Sequence, residues 1–270
     1  MYVKPTIALL ISTYNWPEAL TLCLESGLRQ TVLPNEFIIA DDGSGPETKS
    51  VVDRFRDETT EQFVHVWHED KGFRLCHIRN KAIAQAKSDY IIQIDGDVIL
   101  DKDFIKDHVA LRKDNRFVIG SRAMLNKEFS ERLLASQTLS SAEEFRRNAK
   151  NKMNAKRIPW LTPLFSSRYK NRGKYTYYAK GCNMAFWRKS IIEINGYNED
   201  IEGWGAEDSE LIARLMMLGE KKLFLKFAGI QYHIWHKFAS RDREETNDAI
   251  LENTIASQSF RTVNGIDKYL

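Results

Sequence analysis

Short apolar runs alternate with amphipathic stretches along the N-terminal part of the chain. Thr6 to Ser12 is an unbroken apolar run closing on a hydroxyl, the pattern of a strand buried on both faces. Pro17 suits the first turn of a helix that carries Leu20, Leu24 and Leu28 along one side. Phe37 to Ala40 predicts a second buried strand, ending in Asp41, Asp42, Gly43 and Ser44. A helix through Val51, Val52 and Phe55 follows, then a strand over Val64 to Trp67. Residues 76–87 carry Ile78, Ala82, Ile83 and Ala86 at helical spacing. Tyr90 to Ile94 predicts a fourth strand, broken by Asp95, Gly96 and Asp97. Strands alternating with helices predict a parallel sheet with right-handed crossovers. Ligands of such sheets bind beyond the carboxyl ends of the strands, where both acidic turns fall.

The pattern changes after Ser121. Residues 127–157 are charged and helical in character, with Ala142, Phe145, Ala149 and Met153 expected on one face. Residues 158–178 combine two prolines with Trp160, Phe165, Tyr169, Tyr175, Tyr177 and Tyr178, and read as a mobile basic-aromatic insertion. Regular structure is expected again near Gly181, with a helix over Ser209 to Leu218 and a strand over Leu223 to Phe227. The tail from Ser240 is polar and expected to be helical.

A chain of 270 residues can form one α/β domain with a preformed pocket. It has no run of ~18 apolar residues, so no spanning helix is expected. The segment from Met1 to Ser12 is too short for a signal peptide before Tyr14 and Pro17, and a cytosolic location is expected. Cys23, Cys76 and Cys182 are scattered; they suit core packing and show neither a disulfide framework nor zinc spacing. Charge is segregated. Phe145 to Ile192 holds thirteen lysines and arginines and no acid, within a chain of net charge +3. Such a block suggests an anionic partner. An anionic membrane surface fits the interleaved aromatics; a loop closing over a diphosphate is the alternative. No recognition motif accompanies the charge, so no nucleic acid is expected.

Four acidic or histidine-bearing turns carry candidate chemistry. Asp95 and Asp97 flank a glycine at a strand end, where they can face one hard cation; the same tripeptide is also a plain turn. Asp42 can accept the ring N–H of a uracil, or the turn can serve the next helix with Ser44 as its cap. His233 and His236, separated by two residues after a predicted strand, can share a divalent metal, although such pairs are also ordinary core or surface histidines. Asp208 opens a helix, where the dipole favours a carboxylate; it can also serve as a general base beside Trp204, whose ring can stack on a sugar. One mechanism, sugar transfer from a nucleotide diphosphate, uses all four elements together.

These residues give the chain a resemblance to the family-two glycosyltransferases of the GT-A fold, and within them to the branch of chondroitin polymerase and the beta-1,4-galactosyltransferases. The similarity rests on Ser12 to Asn15, Asp41 to Ser44, Lys71 to Phe73, Arg79 with Asn80, Asp95 to Asp97, Asn195 to Tyr197, Gly203 to Asp208, and His233 with His236. It covers residues 5–125 and 178–238 and leaves the basic insertion outside. The resemblance implies that Thr13, Tyr14 and Asp42 line a nucleoside pocket, with Asp42 on the base. It implies that Arg79 helps hold the nucleotide and that Asp95 contacts ribose or metal. Asp97, His233 and His236 would hold the metal, Asp208 would be the catalytic base, and Trp204 and Glu207 would shape the acceptor site. Two positions depart from the galactosyltransferases: Ser209 stands where they carry a third acid, with Glu210 next as in the chondroitin polymerases, and Ala206 replaces a glycine.

The expected fold is therefore α/β and GT-A-like, a mixed, mostly parallel sheet flanked by helices. Residues 1–120 would bind the nucleotide sugar, 121–177 form a helical basic-aromatic insertion, 178–240 bind the acceptor and catalyse, and 241–270 form a helical tail, within one domain. The expected reaction is inverting transfer from a nucleotide sugar, UDP-linked by the resemblance, to a glycan or lipid-linked glycan. The expected cofactor is a divalent metal, manganese before magnesium. A sugar nucleotidyltransferase would need a glycine-rich, arginine-containing loop after the first strand, where this chain has Ser12 to Asn15. A non-catalytic sugar-binding module would not need Asp97, Asp208 and His233 together.

Overall fold

The computed structural model describes residues 5–237 and 240–270. Met1 to Lys4 of the expected apolar N-terminal segment, and Phe238 and Ala239 of the 178–240 part, lie outside the described residues. The elements run β1 (Ile7–Thr13), α1 (Pro17–Leu28), β2 (Glu36–Asp41), α2 (Pro46–Glu58), β3 (Gln62–Trp67), α3 (Leu75–Gln85), β4 (Tyr90–Asp95), β5 (Val98–Leu100), α4 (Phe104–Leu111), β6 (Arg116–Gly120) and β7 (Ala123–Met124). They continue with α5 (Lys127–Ser136), α6 (Ala142–Asn148), α7 (Thr162–Ser166), β8 (Met184–Trp187), α8 (Arg188–Glu193), α9 (Glu207–Met217), β9 (Lys221–Leu225), β10 (Gln231–His233) and α10 (Glu244–Ser257).

The main sheet has the order β3-β2-β1-β4-β8-β6-β9. β1, β2 and β4 are buried along nearly their whole length, as a parallel strand covered on both faces requires. β3, β2, β1 and β4 run parallel, and β6 runs parallel to β9. β8 is antiparallel to both β4 and β6, so the sheet is mixed. A smaller sheet, β5-β10-β7, pairs His233 with Val98 and so draws the C-terminal histidines beside Asp97. No helix of the described residues is long and apolar enough to cross a membrane.

Two of the sequence motifs meet in a reciprocal clamp. Asn80 Nδ2 donates to the Tyr197 carbonyl at 2.8 Å, and Tyr197 N–H donates back to Asn80 Oδ1 at 2.7 Å. Gly196 has φ +70°, and a Cβ there would lie 2.3 Å from Asn80 Oδ1; only glycine tolerates both. Asn195 in turn bonds the C-terminal segment through Thr262 and Asp267, and Ile266 is fully buried in the core. The tail is thus part of the body of the fold.

Several details differ from the sequence reading. The single helical face expected over Ala142, Phe145, Ala149 and Met153 stops at Asn148. Phe145 and Ala149 are buried, but Met153 is 52% exposed. Ser44 does not cap α2, whose N-cap is Gly45; its hydroxyl accepts from Asn15 N–H instead. Segment 158–178, read as mobile, forms short turns held to β9: Lys222 Nζ donates to the carbonyls of Tyr175 and Thr176 at 2.7 Å. Glu210 faces inward and forms a bidentate pair with Arg214 at 2.7 and 2.8 Å, so its role here is structural.

Both partners of that pair are 1% exposed. Removing one buried partner strands the other charge, a loss of about 3–5 kcal/mol. Glu210→Ala is therefore expected to lower unfolding free energy by about that amount in urea titration. A loss below about 1 kcal/mol would place the pair among the weak, solvated ones.

Candidate active site

Strand register aligns the candidate residues. Thr13 pairs with Asp41 and Ser12 with Asp95, so three neighbouring strands end at one level. A cavity of about 600 Å³ opens there. Thr13, Tyr14, Asp42, Arg79, Asp95, Asp97, Trp204, Glu207, Asp208, His233 and His236 all line it. The eleven residues to which the resemblance gives a site role thus line a single pocket.

Asp97, His233 and His236 form a cluster. Asp97 Oδ2 lies 3.4 Å from His233 Nε2 and 3.1 Å from His236 Nε2. Each imidazole places Nδ1 against a backbone carbonyl, Ile234 O at 2.8 Å and Lys237 O at 2.6 Å. That bond holds the proton on Nδ1 and leaves Nε2 aimed at the carboxylate, the tautomer of a metal ligand. Asp97 Oδ1 is buried with no hydrogen-bond partner, a costly state for a carboxylate oxygen. The three groups together fit a divalent cation in composition and spacing. Burial pushes the Asp97 carboxyl up, but the two imidazoles outweigh it and hold it below its ordinary range. His233 is shifted down, chiefly by burial, and His236 up, chiefly by its bond to Asp97.

The other half of the pocket is built around Arg79. Its guanidinium is buried and donates at 3.1 Å to each of Ser12 Oγ, Asp208 Oδ1 and Asp95 Oδ1. Arg79 thus forms the frame of the pocket, with its donors directed at protein groups. Asp208 also accepts the Gly181 N–H. A Cβ at Gly181 would lie 2.6 Å from the Asp208 carboxylate, so that approach requires glycine. Burial drives the Asp95 carboxyl up to about 6 against the pull of Arg79, with Asp97 and Asp208 adding to the rise. Burial, then the Asp208 charge, pushes Glu207 up to about 7.

Asp42 is buried and bonded by His68 Nε2 at 2.6 Å and by the Arg74 N–H at 2.9 Å. Tyr14 is half exposed and donates to Asp70 at 2.8 Å. Trp204 also lines the cavity, with the Arg241 guanidinium 4.7 Å over its ring. Ala206, which replaces a glycine of the resembled motif, has φ +66° at the N-cap of α9, a conformation that favours glycine. Two cationic wall residues went unread in the sequence, Arg122 and Arg241, and a third, Lys180, was read only as part of the basic block. Arg122 lies just beyond β6, another carboxyl strand end; the short run Phe117 to Ile119 was the signal for it. Its carbonyl is pinned by the side chains of Asn151 and Asn154.

Residues 8–194 match the family described as glycosyl transferase family 2, and residues 162–237 match one described as the N-terminal domain of galactosyltransferase. Hyaluronan synthase of Pasteurella multocida is 26% identical over 242 residues, 84% of this chain and 24% of that protein. Chondroitin synthase of Escherichia coli is 27% identical over 225 residues, 79% of this chain and 32% of that protein. The chain spans about a quarter to a third of the length of these curated relatives. Among solved structures, the mannosyltransferase PcManGT from Pyrobaculum calidifontis, in complex with GDP-Man and Mn2+, superposes with a TM-score of 0.60 at 16% identity, covering 96% of this chain and 64% of that one. S. aureus TarS 1-349 in complex with UDP-GlcNAc superposes with a TM-score of 0.64 at 15% identity, covering 98% and 69%. These likenesses establish the GT-A type of α/β fold. Matched along most of its sheet, with the strand-end carboxylates inside the matched span, the chain belongs to glycosyl transferase family 2.

Proposed function

We propose that this chain transfers a sugar from a nucleotide diphosphate donor, UDP-linked before other nucleotides, to a hydroxyl of a glycan or lipid-linked glycan, with inversion at the anomeric carbon. The observation that carries this reading is the convergence of Asp208, Asp95 and the Asp97–His233–His236 cluster on one cavity. The solved relatives that hold GDP-Man with Mn2+ or UDP-GlcNAc support a nucleotide-sugar donor and a cation. Residues 1–120 supply the donor half and 178–240 the acceptor half, with 121–177 and 241–270 as the insertion and tail.

In this reading Thr13, Tyr14 and Asp42 line the nucleoside pocket, and Asp42 accepts the ring N–H of the base. Asp95 faces the ribose or the cation, and Trp204 and Glu207 hold the acceptor. Asp97, His233 and His236 would hold a divalent ion, manganese with magnesium as the alternative, which when bound offsets the charge of the departing diphosphate. Asp208 takes the proton of the acceptor hydroxyl. The freed oxygen attacks the anomeric carbon from the face opposite the nucleotide while the bond to the diphosphate breaks. A single displacement inverts the configuration and needs no covalent intermediate. Arg79 helps hold the nucleotide indirectly, by fixing Asp95 and Asp208.

A second assignment of the base is favoured by placement: Glu207 adjoins Asp208 in the first turn of α9 and lines the same cavity, within reach of the same acceptor hydroxyl. The two variants Asp208→Asn and Glu207→Gln separate the assignments. We expect Asp208→Asn to lose about 10²–10⁴-fold in kcat with little change in donor affinity. Glu207→Gln is expected to raise the acceptor KM while kcat falls by less than about tenfold. The reverse ranking would move the proton to Glu207, and two near-normal variants would remove both from catalysis.

Asp42→Ala is expected to weaken UDP binding by about 1.5–3 kcal/mol, the worth of a hydrogen bond to a charged group. Calorimetry showing unchanged affinity would leave Asp42 a purely structural partner of His68. For the function as a whole, a panel of nucleotide sugars would be scored for slow hydrolysis and transfer. Turnover of one donor class that is abolished by a chelator and restored by manganese is expected; no turnover of any donor under either condition would favour a non-catalytic sugar-binding module.

A further inference from the structure

The segment from Lys152 to Lys174 is turned inside out for a surface in water. Its one α-helical turn, α7, buries its polar residues and exposes its apolar ones. Thr162 and Ser166 are 5% and 7% exposed, and Thr162 Oγ1 donates to the Lys226 carbonyl at 2.8 Å. Leu164 is 61% exposed and Phe165 37%. Trp160, in the preceding turn, is 73% exposed, and Met153 is 52%. Hydrophobic residues pointing outward while hydroxyls point inward is the opposite of what a solvated turn selects.

The charges within this segment are of one sign. Lys152, Lys156, Arg168, Arg172 and Lys174 are exposed, and Phe145 to Ile192 contains no acid. Arg157 is the exception, since Asp103 and Asp107 pair with it at 3.1 and 2.6 Å. Tyr169 and Tyr178, expected from the sequence to share this surface, are employed elsewhere. Tyr169 packs edge-on to Phe224, with ring centroids 4.9 Å apart. Tyr178 and Tyr175 flank Lys170 Nζ, 4.3 and 5.5 Å from their ring centroids. These contacts, with the bonds from Lys222, fasten the segment to β9 and present the ridge on a firm support.

We propose that Met153, Trp160, Leu164 and Phe165 insert into the interfacial layer of an anionic lipid bilayer, with the five exposed cations meeting lipid headgroups. A tryptophan at the headgroup level, aliphatic side chains below it and a ring of lysine and arginine above is the chemistry of a peripheral membrane contact. Phosphate-bearing lipids supply the complementary charge. This surface is separate from the cavity residues and does not depend on which sugar is transferred.

The test is co-sedimentation of the chain with vesicles of phosphatidylcholine alone or mixed with phosphatidylglycerol, at ~0.05 and ~0.5 M salt, where screening is weak and strong. Expected is a preference of about tenfold or more for the anionic vesicles at low salt, reduced several-fold at high salt. The pair Trp160→Ser with Leu164→Ser is expected to abolish binding, and Lys152→Glu with Lys156→Glu to remove the anionic preference. Unchanged thermal unfolding and unchanged nucleotide-sugar hydrolysis of both variants would show that they fold. Equal or negligible binding to both vesicle types by the wild type would overturn the proposal. So would light scattering that finds the wild type dimeric and the Trp160/Leu164 variant monomeric with no vesicle binding, because the ridge would then be covered by a second copy.

Discussion

A single buried guanidinium makes the pocket physically tenable. Asp95, Asp97, Glu207 and Asp208 all face one cavity, and carboxylates crowded this way repel one another and resist ionisation. Arg79 lies between two of them and bonds both. It reaches them from α3, so the end of β4 and the first turn of α9 are held by the same side chain. The crowding that remains is visible in the raised carboxyls of Asp95 and Glu207. Taking a cation out of water is costly unless it is paired and hydrogen-bonded; here the pairing partners are the very groups assigned to the reaction.

The same economy recurs around it. Asn80, adjacent to Arg79 on α3, clamps the Tyr197 backbone. The Tyr197 hydroxyl donates to Gln93 Oε1 at 2.9 Å, and Gln93 Nε2 donates to the Gly181 carbonyl at 3.1 Å. Gly181 completes the circuit by donating its N–H to Asp208. Together these links join β4, α3 and α9 to the loop before β8. A site assembled from separate parts of the chain gains precision from such closed circuits, because each carboxylate is held from more than one direction.

Much of this was legible in the sequence, for reasons that differ by region. Strands β1, β2 and β4 are buried on both faces, so their apolar runs were unbroken and easy to read. The acidic turns that follow them lie where parallel sheets bind ligands, and that rule alone brought Asp42, Asp95 and Asp97 together. β8 and β6 were missed because each is short, and β8 owes its place to antiparallel pairing with partners distant in sequence. Arg79 was legible as a site residue but not as a frame, since its partners come from 67, 16 and 129 positions away. In the insertion, composition was misleading in one respect. The aromatic content suggested one surface, whereas packing against Phe224 and Lys170 draws Tyr169 and Tyr178 inward and leaves an outer ridge.

The central claim is that Asp97, His233 and His236 hold one divalent ion in the same cavity as Asp208. Both histidines already place Nδ1 on a carbonyl and Nε2 toward the carboxylate, and Asp97 keeps one buried oxygen without a partner. The most direct measurement is anomalous diffraction at the manganese edge from crystals grown with UDP and Mn2+. One strong peak is expected within ~2.0–2.3 Å of Asp97 and both imidazole Nε2 atoms, on the cavity side of the cluster. A peak held elsewhere in the cavity, or none with UDP bound, would contradict that claim.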